Sequence, residues 1–238
     1  YLEFNLAKGL KLKSMFSYTH TTNNNFSHSP STLPVAEHRR IGGTATRSDS
    51  KTVNLLSETT LTYNRTIKKK HKINAVVGFT AQNRTNEYVY MKATGLLDDN
   101  VTYHNMGSAV DKRNTSISSS FTELQRYSVL ARANYSYGGR YHLTLTGRGD
   151  ASSNFAAGHK WAFFPAAAFK WTISKEKFMR GSKSWLSDLS LRLSAGRSGN
   201  DAVSTYVSQM VLTTNQSGWL FGEAREVAYY PTRIDNPN

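Results

Sequence analysis

Residues 127–137 carry apolar side chains at one set of alternate positions and mostly polar side chains at the other. Because successive side chains of an extended chain point to opposite faces, this period of two predicts a β-strand with one apolar and one polar face. A tilted strand of about ten residues rises by about 25 Å, the height of the apolar band of an outer-membrane barrel. The apolar positions are Tyr127, Val129, Ala131, Ala133, Tyr135 and Tyr137.

Two further segments repeat the pattern. After Gly138 and Gly139, which suit the positive φ angles of a two-residue hairpin turn, residues 141–149 alternate again. Residues 161–174 then place aromatic side chains ten residues apart, at Trp161 and Trp171, on one face. We therefore predict consecutive strands that share an apolar face, with aromatic rings near both ends of that face.

Alternation and turn residues predict about eight strands arranged as four hairpins. Short links within the hairpins alternate with long polar connections at residues 21–51, 83–126 and 150–160, and everything after residue 198 is also predicted to be a connection. This asymmetry is typical of transmembrane barrels, which have short periplasmic turns and long extracellular loops. The predicted strands are residues 2–6, 10–20, 52–66, 72–82, 127–137, 141–149, 161–174 and 189–197, with a short helix possible in the last link.

Composition agrees with a sheet that is apolar on one side only. Hydrophobic residues make up 38% of the 238 residues, and mean hydropathy is −0.53, which is lean for a conventional core. The longest apolar run, residues 161–169, contains Pro165 and is shorter than the ~18 residues that a membrane helix needs. The fold class that we predict is an all-β, antiparallel transmembrane barrel segment with long extracellular loops.

The net charge of +14 raises the question of an anionic partner. The one dense basic run is residues 68–72, at a predicted hairpin turn, and the other cations are scattered singly. Nucleic-acid modules usually cluster their cations on one face or motif. We therefore expect no nucleic acid, and we expect the basic side chains to face water or the headgroups of outer-membrane lipid.

Catalytic and metal-binding patterns are not recognisable in the sequence. The chain has no cysteine, and the spacing of its loop histidines resembles no zinc site. No Ser-His-Asp set, phosphate-binding loop or paired-carboxylate arrangement stands out. We expect no enzyme activity, no metal and no cofactor. We expect these histidines to be exposed in loops; they are His20, His28, His38, His104 and His159.

Three ordered motifs then show a resemblance: A-R-A-N-Y-S-Y at residues 131–137, R-G-D-A-S-S-N-F at 148–155, and W-A-F-F-P-A-A-A-F-K-W at 161–171. In these motifs the chain resembles the SusC/RagA family of TonB-dependent outer-membrane transporters of Bacteroidetes. The resemblance marks a set of residues that we expect to be structural, with no ligand-binding residue assigned. They are Arg132, Asn134, Tyr135, Arg148, Asp150, Ser152, Ser153, Phe155, Trp161, Phe164, Pro165, Trp171, Gly199 and Asn200.

The resemblance is strong from residue 127 to about residue 200, is weaker elsewhere, where residues 58–64 also fit, and has small departures. It continues through residues 173–179, 189–196 and 199–200, and the terminal residues 236–238 resemble the family's N-P-N. Alanine stands at 131, 151 and 162 where the family has glycine, and Asp201 replaces a glutamine. These changes bear on loop geometry and leave the barrel interpretation intact.

The resemblance implies what the surrounding protein does. Family membership implies a barrel of about 22 strands, an N-terminal plug, a TonB box and a SusD-like surface lipoprotein. Residues 1–238 then form a partial barrel domain that lacks the plug and TonB box, and both ends of the chain suggest an internal fragment. The function implied is outer-membrane uptake of glycan oligosaccharides or peptides, driven by the TonB complex. Alternatives are a non-transporting outer-membrane barrel, such as an adhesin or anchor, and a soluble β-rich module.

Individual residues leave some questions open. Arg148 and Asp150 lie two apart on the polar face, so they can form a structural ion pair or contact a ligand. Pro165 cannot donate to a sheet ladder, and we therefore predict a strand start or bulge there. A further group of loop aromatics can either stack on sugar rings or pack into a small core of the loops: Tyr206, Trp219, Phe221, Tyr229 and Tyr230.

Overall fold

The computed structural model describes residues 1–33, 42–156, 158–182, 184–200, 205–206, 208–214, 219–221, 224–226 and 229–234. Predictions about His38, Asp201 and residues 236–238 lie outside these residues. Within them, no helix is long and apolar enough to cross a membrane.

Eight strands form one sheet in which each strand neighbours the next in sequence. Pairing is antiparallel between the first two strands and between each successive pair of the last four. The predicted all-β architecture is confirmed, and the eight predicted strands correspond to this sheet; four further short strands, described below, lie in the predicted connection after residue 198. The strands are β1 (Leu2–Ala7), β2 (Leu10–Ser29), β3 (Gly43–Ile67), β4 (His71–Leu96), β5 (Asp111–Tyr137), β6 (Tyr141–Ser152), β7 (Trp161–Thr172) and β8 (Ser190–Gly196).

The strands are longer than predicted at the ends away from the short turns. Much of the predicted connections 21–51 and 83–126 is strand, because β2 reaches Ser29 and β5 begins at Asp111. Ladder hydrogen bonds join backbone groups, so pairing can continue where both faces carry polar side chains. Such extensions lack the apolar alternation on which the predicted boundaries depended.

The apolar face of the sheet is exposed, as its alternation predicts. Leu145 is 49% exposed, Phe163 62% and Leu193 61%. Cross-strand partners keep the same face, since Leu143 pairs with Phe169 and Phe169 pairs with Leu193. A sheet with large apolar side chains exposed along its strands requires an apolar medium on that side.

The prediction for Pro165 is wrong. It lies inside β7, opposite Gly147, and the register between β6 and β7 has no shift. The backbone N–H of Arg197 donates to the carbonyl of Pro165 at 2.9 Å, so the missing N–H of this proline also faces β8. Pairing with β8 stops at Ala166 and Gly196. The proline is tolerated because it lies where the ladder with β8 ends, so that only the last donor on that side is missing.

Two hairpin turns use left-handed backbone. Gly138 and Gly139 have φ of 58° and 67°, which confirms the predicted turn. In the lysine-rich turn, Lys68 and Lys69 take the same conformation, with φ of 47° and 59°. The N–H of Gly138 donates to the carbonyl of Lys70 at 2.8 Å, which places the two turns side by side.

The connection between β7 and β8 contains two short 3-10 helices, Ile173–Lys175 and Lys177–Ser182. A third, Met106–Ser108, precedes β5. After β8, the chain forms two small antiparallel pairs. These are β9 (Val211–Thr214) with β12 (Tyr229–Arg233), and β10 (Trp219–Phe221) with β11 (Ala224–Glu226).

The chain divides into two compact units. The wall unit comprises residues 1–16, 56–82 and 124–238, and the loop unit comprises residues 17–55 and 83–123. Among the described residues, the loop unit holds a small buried core, against which Tyr103 and Met106 pack. That core consists of Ala45, Ala93, Leu96 and Ala109. In the wall unit, Ala151 is the one buried apolar residue among those described.

An aromatic stack and the hydrogen bonds of a half-buried aspartate order the loop unit further. The rings of Phe26 and Tyr103 stack with centroids 4.6 Å apart, and the guanidinium of Arg47 lies 5.4 Å from the Phe26 centroid. Asp99 accepts hydrogen bonds from the backbone and hydroxyl of Ser31, each at 2.8 Å. His28 lies 3.6 Å from the same carboxylate and is half-buried, contrary to the expectation of an exposed loop histidine.

Candidate functional site

A ladder of amide side chains crosses the polar face of the wall unit. Asn134 on β5 donates to Asn74 on β4 at 2.9 Å, and Thr144 on β6 donates to Asn134 at 2.8 Å. Asn74 donates in turn to Asn64 on β3. Nearby, Arg132 donates to the hydroxyl of Thr146 at 3.2 Å. The motif residues Arg132 and Asn134 therefore tie neighbouring strands together through their side chains.

Beyond this ladder, the polar face holds a cavity of about 830 Å³. Its walls come from β4 to β7 and from the segment that follows β8. This volume lies within the ~300–1,000 Å³ range of ordinary ligand sites. Seven of the motif residues line it: Arg148, Asp150, Ser152, Phe155, Phe164, Gly199 and Asn200.

Arginine side chains dominate the charge of the cavity. Arg126, Arg148 and Arg197 line it together with one carboxylate, Asp150. Arg148 donates from Nε to both carboxylate oxygens of Asp150, at 2.9 and 2.7 Å, and its Nη2 lies 3.4 Å from the Ser128 hydroxyl. The ion pair that the sequence suggested therefore forms. Because three cations face one anion, the lining carries a positive surplus.

Phe164 shapes the cavity floor because the chain after β8 passes close to its ring. A Cβ atom on Gly199 would lie 2.4 Å from the ring carbon Cε1 of Phe164, closer than a carbon contact allows. Glycine at 199 therefore permits this approach, which brings Asn200 and Arg197 to the cavity.

The serine pair at the end of β6 orders the turn beside the cavity. Ser152 is buried, and its hydroxyl accepts from the N–H of Asn154 at 3.3 Å. Ser153 exchanges two bonds with Gln125: its N–H donates to the Gln125 carbonyl, and its hydroxyl accepts from the Gln125 N–H. The N–H of Phe155 donates to the Ser152 carbonyl at 3.4 Å, which places this ring at the cavity.

The remaining motif residues lie on the apolar face. Trp161 is 61% exposed and Tyr135 39% exposed, and Pro165 is also exposed. The Tyr135 hydroxyl lies 2.8 Å from Nδ1 of His71. Trp171 stacks with Tyr141, with ring centroids 6.5 Å apart. The motifs thus contribute to two environments, a cavity on one face and an aromatic belt on the other.

Sequence reasoning missed Glu176, a buried carboxylate between two lysines. It accepts from the Tyr141 hydroxyl and Arg140 Nη1, each at 2.6 Å, and from Trp171 Nε1 at 3.2 Å. The Tyr141 hydrogen bond first, and then those of Trp171 and Arg140, hold the pKa of Glu176 below its usual range. In the sequence, a single glutamate flanked by lysines is typical of an exposed turn, so no local pattern identifies it.

The open question about loop aromatics is partly answered. Tyr229 and Tyr230 in β12 are 69% and 50% exposed, so they are not part of a loop core. The side chains of Trp219 and Phe221 lie outside the described residues. Among the described residues, no group of three or more histidine, cysteine, aspartate or glutamate side chains could hold a metal ion.

Comparison with known proteins is consistent with this arrangement. Residues 1–237 match the family model described as "TonB dependent receptor-like, beta-barrel". The chain is 32% identical over 242 residues to TonB-dependent receptor P26 of Formosa agariphila, covering 100% of this chain and 24% of that protein. It is 35% identical over 108 residues to TonB-dependent receptor SusC of Bacteroides thetaiotaomicron, covering 44% of this chain and 10% of SusC.

Solved structures show the same fold. The structure of the RagAB peptide transporter superposes with a TM-score of 0.83 at 22% identity, over 99% of this chain and 25% of that chain. The structure of the RagAB peptide importer in its open-open state superposes with a TM-score of 0.84 at 21% identity. The chain spans about a quarter or less of the length of these relatives.

Proposed function

Because the chain belongs to the TonB-dependent receptor β-barrel family, of the SusC/RagA type and located in the outer membrane, we propose that it forms part of the wall of a nutrient importer. In this proposal the whole protein imports glycan oligosaccharides or peptides together with a SusD-like lipoprotein. The TonB complex supplies the energy through parts of the protein outside this chain. The strands contribute the boundary between lipid and a polar transport path.

The observation that carries the proposal is the cavity on the polar face. It gathers residues from separate motifs, contributed by β6, β7, the turn between them and the segment after β8. A barrel that served only as an anchor would need the apolar face and the ladder, but it would have no need of a cavity of ligand size. Guanidinium groups, an amide and two phenyl rings together can bind carboxylates, hydroxyls and the faces of sugar rings.

The charge of the cavity favours cargo with acidic groups. Arg197 and Arg126 join the Arg148–Asp150 pair at the lining, so the site carries more positive than negative charge. A peptide carboxylate or a uronic acid would complement that surplus. The proposal therefore places acidic peptides and acidic oligosaccharides ahead of neutral sugars.

Deletion of the parent gene, with uptake of labelled peptides and oligosaccharides measured in the host, tests the proposal. We expect uptake of at least one class to fall, to return with the wild-type gene, and to stay low with a gene lacking the TonB-contacting segment. The wild-type protein should also co-purify with a SusD-like lipoprotein. Unchanged uptake of every cargo would overturn import in favour of a non-transporting barrel.

A cavity variant links the function to the site. Arg197→Gln should lower uptake of acidic cargo without changing the amount of assembled barrel. Lys160→Gln, an exposed position that is absent from the cavity lining, removes the same charge and serves as the matched control. Equal uptake by the two variants would remove the cavity from the transport path.

A further inference from the structure

The connection between β7 and β8 exposes two large aromatic side chains. Phe178 is 68% exposed and Trp185 is 75% exposed, although both lie outside the strands of the sheet. Phenylalanine and tryptophan dominate the energetics of interfaces because each buries a large apolar area. Because both are exposed in one connection, we infer that another molecule covers this surface when the protein is in the membrane.

The position of the connection is set by Glu176. This carboxylate accepts from Tyr141 and Trp171, whose rings lie on the apolar face of β6 and β7 and stack on each other. Lys175 adds a bond from Nζ to the carbonyl of Gly139 at 3.2 Å. The connection is therefore fixed to the apolar side of the sheet, at its short-turn end, instead of to the polar side.

Hydrogen bonds also join the two ends of the connection. The N–H of Ser174 donates to the carbonyl of Leu189 at 3.1 Å, and its hydroxyl donates to Asp188 at 2.9 Å. Further hydrogen bonds follow within the connection, with the N–H of Leu186 donating to the carbonyl of Ser182 at 2.8 Å. Phe178 and Trp185 thus project from an internally bonded segment.

The charges beside Phe178 are positive, because Lys177 and Arg180 are exposed on either side of it in sequence. Of the two carboxylates of the connection, Glu176 is buried by its three partners, and Asp188 is exposed and accepts hydrogen bonds from the hydroxyls of two serines. The lysine-rich turn, which is hydrogen-bonded to the Gly138 turn, adds the exposed side chains of Lys68, Lys69 and Lys70. Aromatic side chains with adjacent lysine and arginine are the composition by which protein segments lie in an anionic membrane interface.

We propose that residues 173–182 and 184–189 form an interfacial anchor that binds anionic phospholipid of the periplasmic leaflet. Phe178 and Trp185 enter the boundary between headgroups and acyl chains, and Lys177 and Arg180 contact the lipid phosphates. Glu176 acts as a positioning residue that holds the connection against the lipid-facing aromatics. The anchor needs only membrane insertion, so it would operate equally in an importer and in a non-transporting barrel.

Spin labels in the full-length parent protein, reconstituted in phosphatidylcholine–phosphatidylglycerol nanodiscs, test the aromatic contact. Nitroxides at Phe178→Cys and Trp185→Cys should be more accessible to oxygen than to a water-soluble nickel chelate. A label at Lys8→Cys, exposed in another short turn, should show the reverse. Aqueous accessibility at both aromatic positions would overturn the proposal and indicate a soluble periplasmic partner or no partner.

Glu176→Gln separates positioning from simple exposure. In this variant the two labels should shift towards aqueous accessibility while the Lys8 label stays unchanged. Labels that keep their lipid-like accessibility in Glu176→Gln would contradict the positioning role. Since Phe178 and Trp185 are exposed, their cysteine variants test the lipid contact even where Glu176→Gln assembles poorly.

Lipid composition tests the electrostatic contact. We expect phosphatidylglycerol to be enriched around the wild-type protein, and Lys177→Glu with Arg180→Glu to lower this enrichment by about tenfold. Arg113→Glu with Lys160→Glu makes the same charge change at exposed positions elsewhere and should leave it unchanged. Equal enrichment in both double variants would overturn the proposed phosphate contact.

Discussion

Among the described residues, the loop unit has a small buried apolar core, whereas the wall unit has large exposed apolar side chains along one face of its sheet. In the loop unit, Leu96 and three alanines are nearly inaccessible and form a small core. In the wall unit, large side chains such as Leu193 and Phe163 are exposed by more than half, while the polar face carries the amide ladder and the cavity. Whether an apolar side chain is buried or exposed thus depends on the surrounding medium, which is water for the core of the loop unit and lipid for the apolar face of the wall unit.

A charge on the lipid-facing side should have the largest effect. Leu193→Arg on β8 should destabilise the assembled parent protein by about 2–4 kcal/mol, because a guanidinium there is moved into hydrocarbon. Ser194→Arg, the next residue on the polar face, should cost less than about 1 kcal/mol. Urea unfolding in lipid vesicles measures both values, and equal losses would break the contrast between the faces.

The loop unit should respond to loss of core volume instead. Leu96 is 1% exposed, so Leu96→Ala should destabilise the loop unit by about 2–3 kcal/mol through lost burial and a residual cavity. Hydrogen exchange should speed up around Ala45 and Ala109, with little change in β6 and β7. Leu97→Ala, where the neighbouring leucine is 76% exposed, is the matched control, and an equal effect from it would show that no core operates there.

The sequence predicts the wall unit better than the loop unit for a physical reason. A strand with lipid on one face and water on the other alternates apolar and polar residues, and β6, β7 and β8 have this period of two. Their predicted bounds agree with the structure within a few residues. The extensions of β2 and β5 carry mostly polar side chains on both faces, so their sequence lacks that period. The predicted strands were therefore too short: β2 was predicted to end too early and β5 to begin too late.

The candidate site was predictable only in its parts. The motifs identified most of the cavity residues, because Arg148, Phe164 and Gly199 occur in the stretches that resemble the family. These residues come together only because the chain after β8 passes over Phe164. That contact joins residues distant in sequence, so no local pattern predicts it. Glu176 was missed for the same reason, since its partners Arg140 and Tyr141 belong to another hairpin.

A methyl group at the Phe164 contact should have an intermediate effect. Gly199→Ala forces the ring or the chain to move, and overpacking of this kind costs about 1–3 kcal/mol. We expect this loss of stability together with weaker uptake of acidic cargo, because the displaced segment carries Arg197. Gly181→Ala, where no atom lies within 4 Å of the added Cβ, should change neither quantity.

The smallest expected effect is a pH dependence at Glu176. Its folded-state pKa is lowered, so its contribution to stability is present above the ordinary glutamate pKa of about 4.3 and is lost as pH falls through the folded value. Wild type should therefore be more stable than Glu176→Gln at neutral pH, and the difference should vanish at acidic pH. Glu87→Gln, at an exposed position, controls for the loss of a carboxylate, and a pH-independent difference would contradict the assignment.

Cysteine accessibility along β6 tests the account most directly. Single cysteines at residues 142–146 of the full-length parent protein, in lipid bilayers, would be reacted with a membrane-impermeant maleimide added to both sides. The account predicts alternation, with positions 142, 144 and 146 reactive and positions 143 and 145 protected by lipid. Uniform reactivity, or alternation in the opposite phase, would contradict a sheet with one face on lipid and the other on a polar path.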